Sequence, residues 1–183
     1  MKKNEYLERV SEDIQNKYKT AQKNITNENY DKAHKLLQEI LQKNQEFVPA
    51  YNKLGVIEIY KNNQNKANEY FEQALHKDRE YLPAMLNLGN IAQQKNQLEQ
   101  AKRYYKQILE IDSKFGAAYN NLAVIYRQEG KIYKSVKYMK KARKHDKISI
   151  KTDIERPLYK EPGCFVIVFL LIVLILAFLW ILS

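Results

Sequence analysis

Of 183 residues, one is cysteine, three are histidine, four are proline and five are glycine. The single thiol, Cys164, excludes an intramolecular disulfide and any multi-cysteine zinc site. His34, His76 and His145 stand far apart, and the glycines never gather into a loop that could cradle phosphate. No metal, cofactor or catalytic centre is therefore expected, and the chain does not read as an enzyme. The opening stretch, Met1-Lys2-Lys3-Asn4-Glu5, lacks the apolar run of a secretory signal, so the body is expected in the cytoplasm. Acids are outnumbered, 21 Asp and Glu against 31 Lys and Arg, for a net charge of +10. The excess is local, with eleven cations and four acids in residues 131–183 against twenty and seventeen before them. A basic stripe attracts phosphate, but the sequence has no base-reading motif or stacking sheet, so nucleic acid is not an expected partner.

Apolar residues make up 45% of the chain and are unevenly spread, since all nineteen residues from Cys164 to Leu182 are apolar. As a helix, Phe165 to Leu182 would rise about 27 Å, close to the roughly 30 Å of a bilayer's hydrocarbon core. A buried core helix would need protein around it, so residues 164–183 are expected to form a single transmembrane anchor. Lys147, Lys151, Arg156 and Lys160 precede the run and no cation follows it, which orients the N-terminal body to the cytoplasm. In outline the chain resembles a tail-anchored membrane protein, with the choice of membrane left open. Tyr159 and Trp180 are placed to sit at opposite interfaces, and Cys164 reads first as a small apolar residue of the anchor, with lipidation left open. Pro157, Pro162 and Gly163 oppose one continuous helix, making residues 150–163 a tether.

The body repeats itself at a shift of 34 residues. Leu54-Gly55 recurs as Leu88-Gly89 and Leu122-Ala123, and Pro49-Ala50 as Pro83-Ala84 and Ala117-Ala118. Small residues share a column at Ala33, Ala67, Ala101 and Ser135, and large ones at Leu37, Phe71, Tyr105 and Met139. Ile40, Ala74, Ile108 and Ala142 form another column, and Asn44, Asp78, Asp112 and Asp146 close each unit. Four units follow, residues 14–47, 48–81, 82–115 and 116–149, behind an N-terminal extension of residues 1–13.

These units resemble the tetratricopeptide repeat. The resemblance rests on Tyr51-Asn-Lys-Leu-Gly, Ala67-Asn-Glu-Tyr-Phe, Leu88-Gly-Asn, Ala101-Lys-Arg-Tyr-Tyr and Tyr119-Asn-Asn-Leu-Ala. It departs in unit one, which has Thr20-Ala21 for Leu-Gly and Lys17 in the aromatic column. It implies an all-α solenoid of helical hairpins, a right-handed superhelix with a concave inner face. Pro49 and Pro83 suit first helical turns, while Asn62-Asn63, Lys95-Asn96 and Gly130 suit the turns between helices. Gly55 and Gly89 are expected to let helices approach closely. Leu7, Val10, Ile14, Ala21 and Ile25 keep helical spacing, which predicts one long first helix from near Asn4, shielding the N-terminal end of the stack. The consensus residues are read as packing, not as a site.

The resemblance further implies a ligand along the inner face, where asparagine before the consensus leucine grips a peptide backbone with a donor and an acceptor. That column reads Lys19, Lys53, Asn87 and Asn121, and Asn52, Asn90, Asn120 and Arg127 are expected on the same face. Gln94 and Gln128 join them, with Val56, Ile59 and Tyr60 as an apolar patch toward unit two. The Lys and Asn clamp by which some family members hold a chaperone's C-terminal carboxylate is missing. Its columns read Tyr18, Gln22, Lys53, Pro83, Asn87 in one register and Asn52, Val56, Asn87, Ala117, Asn121 in the next.

The last helix carries Lys134, Lys137, Lys140, Lys141 and Lys144 with Lys131 and Arg143, and no acid from residue 131 to 145. Two roles are open to this basic face, contact with anionic lipid or plain solvation. Its apolar side, Ile132, Val136, Met139 and Ala142, is expected to pack on the array, with the remaining edge covered by the tether, a partner or a second copy. The acids are expected to pair with lysines one helical turn away. The reading is a membrane-held scaffold that recruits a protein or peptide partner. Its rival is a structural or assembly subunit of a membrane complex, with contacts made through the transmembrane helix.

Overall fold

The computed structural model describes residues 3–145. The chain divides into two compact units, residues 1–149 and 150–183, and every described residue belongs to the first. The expected tether and anchor lie outside the described residues, as does Asp146. Among the described residues no helix is long and apolar enough to cross a membrane.

Among the described residues the first unit is all-α. After α1 (Lys3–Glu8) come four antiparallel pairs: α2 (Glu12–Thr26) with α3 (Tyr30–Lys43), α4 (Val48–Tyr60) with α5 (Gln64–Lys77), α6 (Leu82–Gln94) with α7 (Leu98–Ile111), and α8 (Gly116–Gln128) with α9 (Ile132–His145). Each pair packs on the next through its second helix, α3 on α4, α5 on α6 and α7 on α8. The core runs along the stack as three neighbouring clusters that share partly buried Tyr6, Leu75 and Tyr104, because one pair cannot bury its apolar surface alone.

Turns repeat with the same 34-residue period. Within each pair one residue takes a left-handed conformation, at Glu28, Asn62, Asn96 and Gly130. Around Asn62 the bonds are Asn62 N to Ile59 O at 3.0 Å and Asn63 N to Glu58 O at 2.8 Å, which satisfy carbonyls at the end of α4. Asn and Gly fill such positions cheaply. Glu28 does not advertise itself, and its turn was not foreseen. Between pairs, Asn44, Asp78 and Asp112 accept from the backbone N–H two residues on at 2.9–3.0 Å, a side-chain turn that explains the column. Three residues after each comes a buried aromatic, Phe47, Tyr81 and Phe115, a column the sequence reading overlooked.

The long first helix is not formed. Ser11 has an extended backbone (φ −58°, ψ 154°), its carbonyl starts α2 by accepting from Gln15 N at 3.1 Å, and Gln15 Nε2 ties back to Val10 O at 3.1 Å. Glu12 and Asp13 then occupy the first turn, where acids are favoured by the helix dipole. The break frees α1 to fold against α4 instead of prolonging α2. The Tyr6 ring meets Tyr81 edge-on at 5.7 Å, and its hydroxyl donates to Asp78. The extension thus reaches inward to the start of the third pair and is more than an end shield.

Ion pairs also depart from expectation. Arg9–Glu5 and Lys102–Glu99 are a turn apart, but Lys17–Glu39, Lys43–Asp13, Lys61–Asp31, Lys77–Glu46 and Lys102–Glu129 join helices or turns far apart in sequence. The exposed ones add little stability. Lys102 is different, being buried between α7 and the α8–α9 turn, with Nζ 2.5 Å from both Glu129 and Glu99. Burial alone would lower the Lys102 pKa, but the hydrogen bonds to Glu129 and Glu99 outweigh it and leave it raised. The bond from Lys102, then that from Lys131, holds the Glu129 carboxyl below its usual range. The stability this carboxylate contributes is complete above its unfolded pKa and is lost as pH falls through the depressed folded value. Acid denaturation monitored by circular dichroism should therefore show a smaller loss of stability between about pH 5 and pH 3 in Lys102→Met than in the parent. An unchanged acid limb would remove the pair from the account.

Candidate functional site

The first helices of the pairs, α2, α4, α6 and α8, line one face. Glycine sets how closely the second helices back it. A Cβ at Gly55 would lie 2.5 Å from Phe71 Cε1, and one at Gly89 would lie 2.5 Å from Tyr105 Cε1. Where the column holds alanine, at Ala21 and Ala123, the residue sixteen places on is Leu37 or Met139. Ring and glycine therefore go together, and the ring edge rests directly on the first helix.

That contact sets what shows on the inner face. Behind α4 the ring is Phe71, in one cluster with half-buried Val56 and Ile59, so the second pair presents apolar surface. Behind α6 it is Tyr105, whose hydroxyl lies 2.9 Å from Asn90 Oδ1 and 3.0 Å from Gln93 Oε1. With one proton it donates to one of them at a time. Burial raises the Tyr105 pKa, so the hydroxyl remains a donor at neutral pH.

The predicted asparagines are brought together in two bridges between adjacent pairs. Asn87 Nδ2 donates to Asn52 Oδ1 at 3.0 Å, and Asn121 Nδ2 donates to Asn90 Oδ1 at 2.8 Å. Asn52 is buried and acts as the anchor of the first bridge. Asn87, Asn90 and Asn121 are half-buried at the surface, each with one carboxamide orientation fixed by its neighbour. A carboxamide offers two N–H donors and a carbonyl, so Asn87 and Asn121 retain capacity for a backbone while losing rotational freedom in advance. Asn120 and Arg127 are exposed on α8. Lys53 is half-buried and already engaged within the fold.

The basic helix sits differently from expectation. Ser135 and Ala142 bury against the array with Tyr138 and Met139 half-buried beside them, whereas Ile132 and Val136 are 59% and 41% exposed. The apolar side thus divides, because the packed stripe of α9 is centred on its small residues. Lys134 lies over the Tyr126 ring at 5.7 Å and Lys141 over Tyr119 at 5.3 Å, while Lys137, Lys140 and Lys144 point to solvent. His145 stacks on Tyr119 at 5.7 Å.

Two features escaped the sequence reading. Glu58 is 2% exposed in a column otherwise held by Asn24, Ala92 and Tyr126, and accepts from Asn63 Nδ2 at 2.9 Å, with His34 and Lys66 at 3.9 and 3.8 Å. Burial holds the His34 pKa below the usual histidine value, against the pull of Glu58. A cleft of about 380 Å³ opens between α5 and α7, with Leu88, Ile91 and Ala92 of α6 at its floor and Asn68, Glu69, Glu72, Lys95, Gln100 and Tyr104 in its walls. Among the described residues no cluster of histidine, cysteine and carboxylate side chains could hold a metal.

Two family models of the tetratricopeptide repeat match, over residues 59–123 and 116–143. The chain carries tetratricopeptide repeats, and its fold is the corresponding helical-hairpin solenoid. A crystal structure of MamA superposes with a TM-score of 0.62 at 20% identity, covering 73% of this chain and 78% of that one. Pseudomonas aeruginosa pilF superposes with a TM-score of 0.67 at 16% identity, covering 75% and 63%. At these identities the likeness is one of fold. Among curated proteins none matches the sequence.

Proposed function

We propose that the array is a protein-interaction scaffold held at a membrane by residues 164–182, with its partner lying along the inner face as an extended peptide segment. The observation that carries this reading is the pair of carboxamide bridges, Asn52–Asn87 and Asn90–Asn121, flanked by exposed Asn120 and Arg127. They present donors and acceptors in fixed orientations along the first helices, next to the apolar surface of Val56 and Ile59. A backbone with mixed side chains suits such a strip. The apolar run from Cys164 to Leu182 supports the membrane part, and its effect is one of concentration, since tethering raises the local density of whatever the array binds. No chemistry on the partner is required.

The full-length protein purified in mild detergent from its own cells, beside an Asn120→Ala/Arg127→Ala variant, tests this. Neither side chain bonds across the fold among the described residues, so the melting temperature should not move. Recovery of the partner should fall about tenfold or more, equivalent to roughly 1.4 kcal/mol of binding. Equal recovery from both, combined with loss of the partner when residues 164–182 are exchanged for an unrelated apolar helix, would favour the complex-subunit reading instead.

A further inference from the structure

We infer that the exposed flank of α9 is the seat of one more helix, supplied by a partner protein and graded along its length, acidic in its N-terminal half and apolar in its C-terminal half. The surface is separate from the inner face and does not depend on the function proposed for it.

The repeat itself supplies the template. In the earlier pairs the same flank of the second helix is covered by the next first helix. Tyr30 of α3 stacks on Tyr60 of α4 at 5.1 Å, and Lys102 of α7 meets Glu129 beyond α8. Leu41, Leu75 and Leu109 are partly buried against the core clusters. One period on from Leu98, Lys102 and Leu109 stand Ile132, Val136 and Arg143. Among the described residues nothing covers them, and Ile132, Val136 and the neighbouring Tyr133 are 59%, 41% and 82% exposed. The apolar residues that a covering helix would need are in place at one end of the flank.

Charge and polarity identify the occupant. At the other end the column that held leucine three times holds Arg143, with exposed Lys140 and Lys144 beside it and no acid from residue 131 to 145. A helix seated as α8 sits on α7 runs antiparallel to α9. Its N-terminal half then faces Arg143 and Lys140, and its C-terminal half faces Ile132 and Val136. Acids in that first half would meet the cations and also suit the positive end of their own helix dipole. A second copy fits poorly, because the free flank of α2 begins at the acid Asp13 but continues with exposed Asn16, Thr20 and Lys23, polar residues and a cation where apolar ones are needed. By sequence the chain's own tether fits no better, since Pro157 and Pro162 oppose a helix of that length and Lys151 and Arg156 stand beside its acids Asp153 and Glu155.

The test uses the full chain in detergent and two synthetic helices of about four turns. One carries glutamate in its first two turns and a leucine stripe in its last two, and the other has the same composition in reverse order. The graded helix should bind at least tenfold tighter than the reversed one. Arg143→Glu should abolish that preference, and lysine in place of the peptide's glutamates should restore binding to it. Ile132→Glu/Val136→Glu should lose binding of either peptide while leaving melting unchanged, since both side chains are exposed. Equal binding of the two orders, or no binding to the parent chain, would overturn the inference. So would a preference of the parent chain for vesicles of phosphatidylcholine and phosphatidylserine in equal parts over phosphatidylcholine alone that these variants lose while peptide binding stays intact, because that result assigns the flank to lipid.

Discussion

Gly89→Ala should destabilise the array by about 1–2 kcal/mol, and the same substitution should be neutral or stabilising once Tyr105 is leucine. In the parent, the new methyl would lie 2.5 Å from Tyr105 Cε1. The ring is fully buried, and its hydroxyl is held by Asn90 and Gln93, so it has little room to retreat. Overpacking of this kind costs about 1–3 kcal/mol, against which alanine returns up to about 1 kcal/mol of helix propensity. Without the ring the steric cost disappears and only the propensity gain is left. The pairings Ala21 with Leu37 and Ala123 with Met139 already show the alternative solution within this chain. The coupling between the two sites is read from urea denaturation of both single variants and the double variant. Additive effects would mean that glycine is not required by the ring. Tyr105→Leu also removes the hydroxyl between Asn90 and Gln93, so the inner face of the third pair should lose rigidity even where stability recovers.

Val173→Arg/Leu174→Arg should move the chain almost completely from the membrane pellet to the supernatant after alkaline carbonate extraction. Each arginine near the centre of a spanning helix costs about 2.5–3.5 kcal/mol on insertion scales, and two together outweigh much of the gain from the flanking apolar residues. Val173→Leu/Leu174→Val keeps the apolar character and should leave the distribution unchanged. A chain that stays in the pellet with both arginines present is held there by something other than residues 164–182, and the membrane half of the proposal then fails.

The period of the array and most of its packing columns were legible because a repeat states each rule several times. Asn62, Asn96 and Gly130 marked their turns by residue type, since few side chains tolerate a left-handed backbone, whereas Glu28 occupies the equivalent place with no such signature. The break at Ser11 was hidden because Leu7, Val10 and Ile14 keep helical spacing straight through it, and periodicity does not record an interruption that preserves phase. The asparagine bridges were half legible. Column position placed Asn87 and Asn121 on the inner face, but their partners sit one repeat earlier in other columns, at Asn52 and Asn90, and only the packing of adjacent first helices brings them together. The flank of α9 was misread for a related reason. A helical stripe identifies apolar residues, but whether they are covered depends on a neighbour, and no further repeat covers Ile132 and Val136 among the described residues.

Site-specific photo-crosslinking in living cells tests the central claim most directly. A photoreactive residue at Asn120, exposed on α8, is compared with one at Gln100, exposed in the wall of the cleft between α5 and α7. An inner-face scaffold predicts one discrete adduct of higher mass from position 120, absent from position 100 and reduced by Arg127→Ala. An adduct from position 100 with none from position 120 would place the partner at the cleft between α5 and α7 and contradict the account.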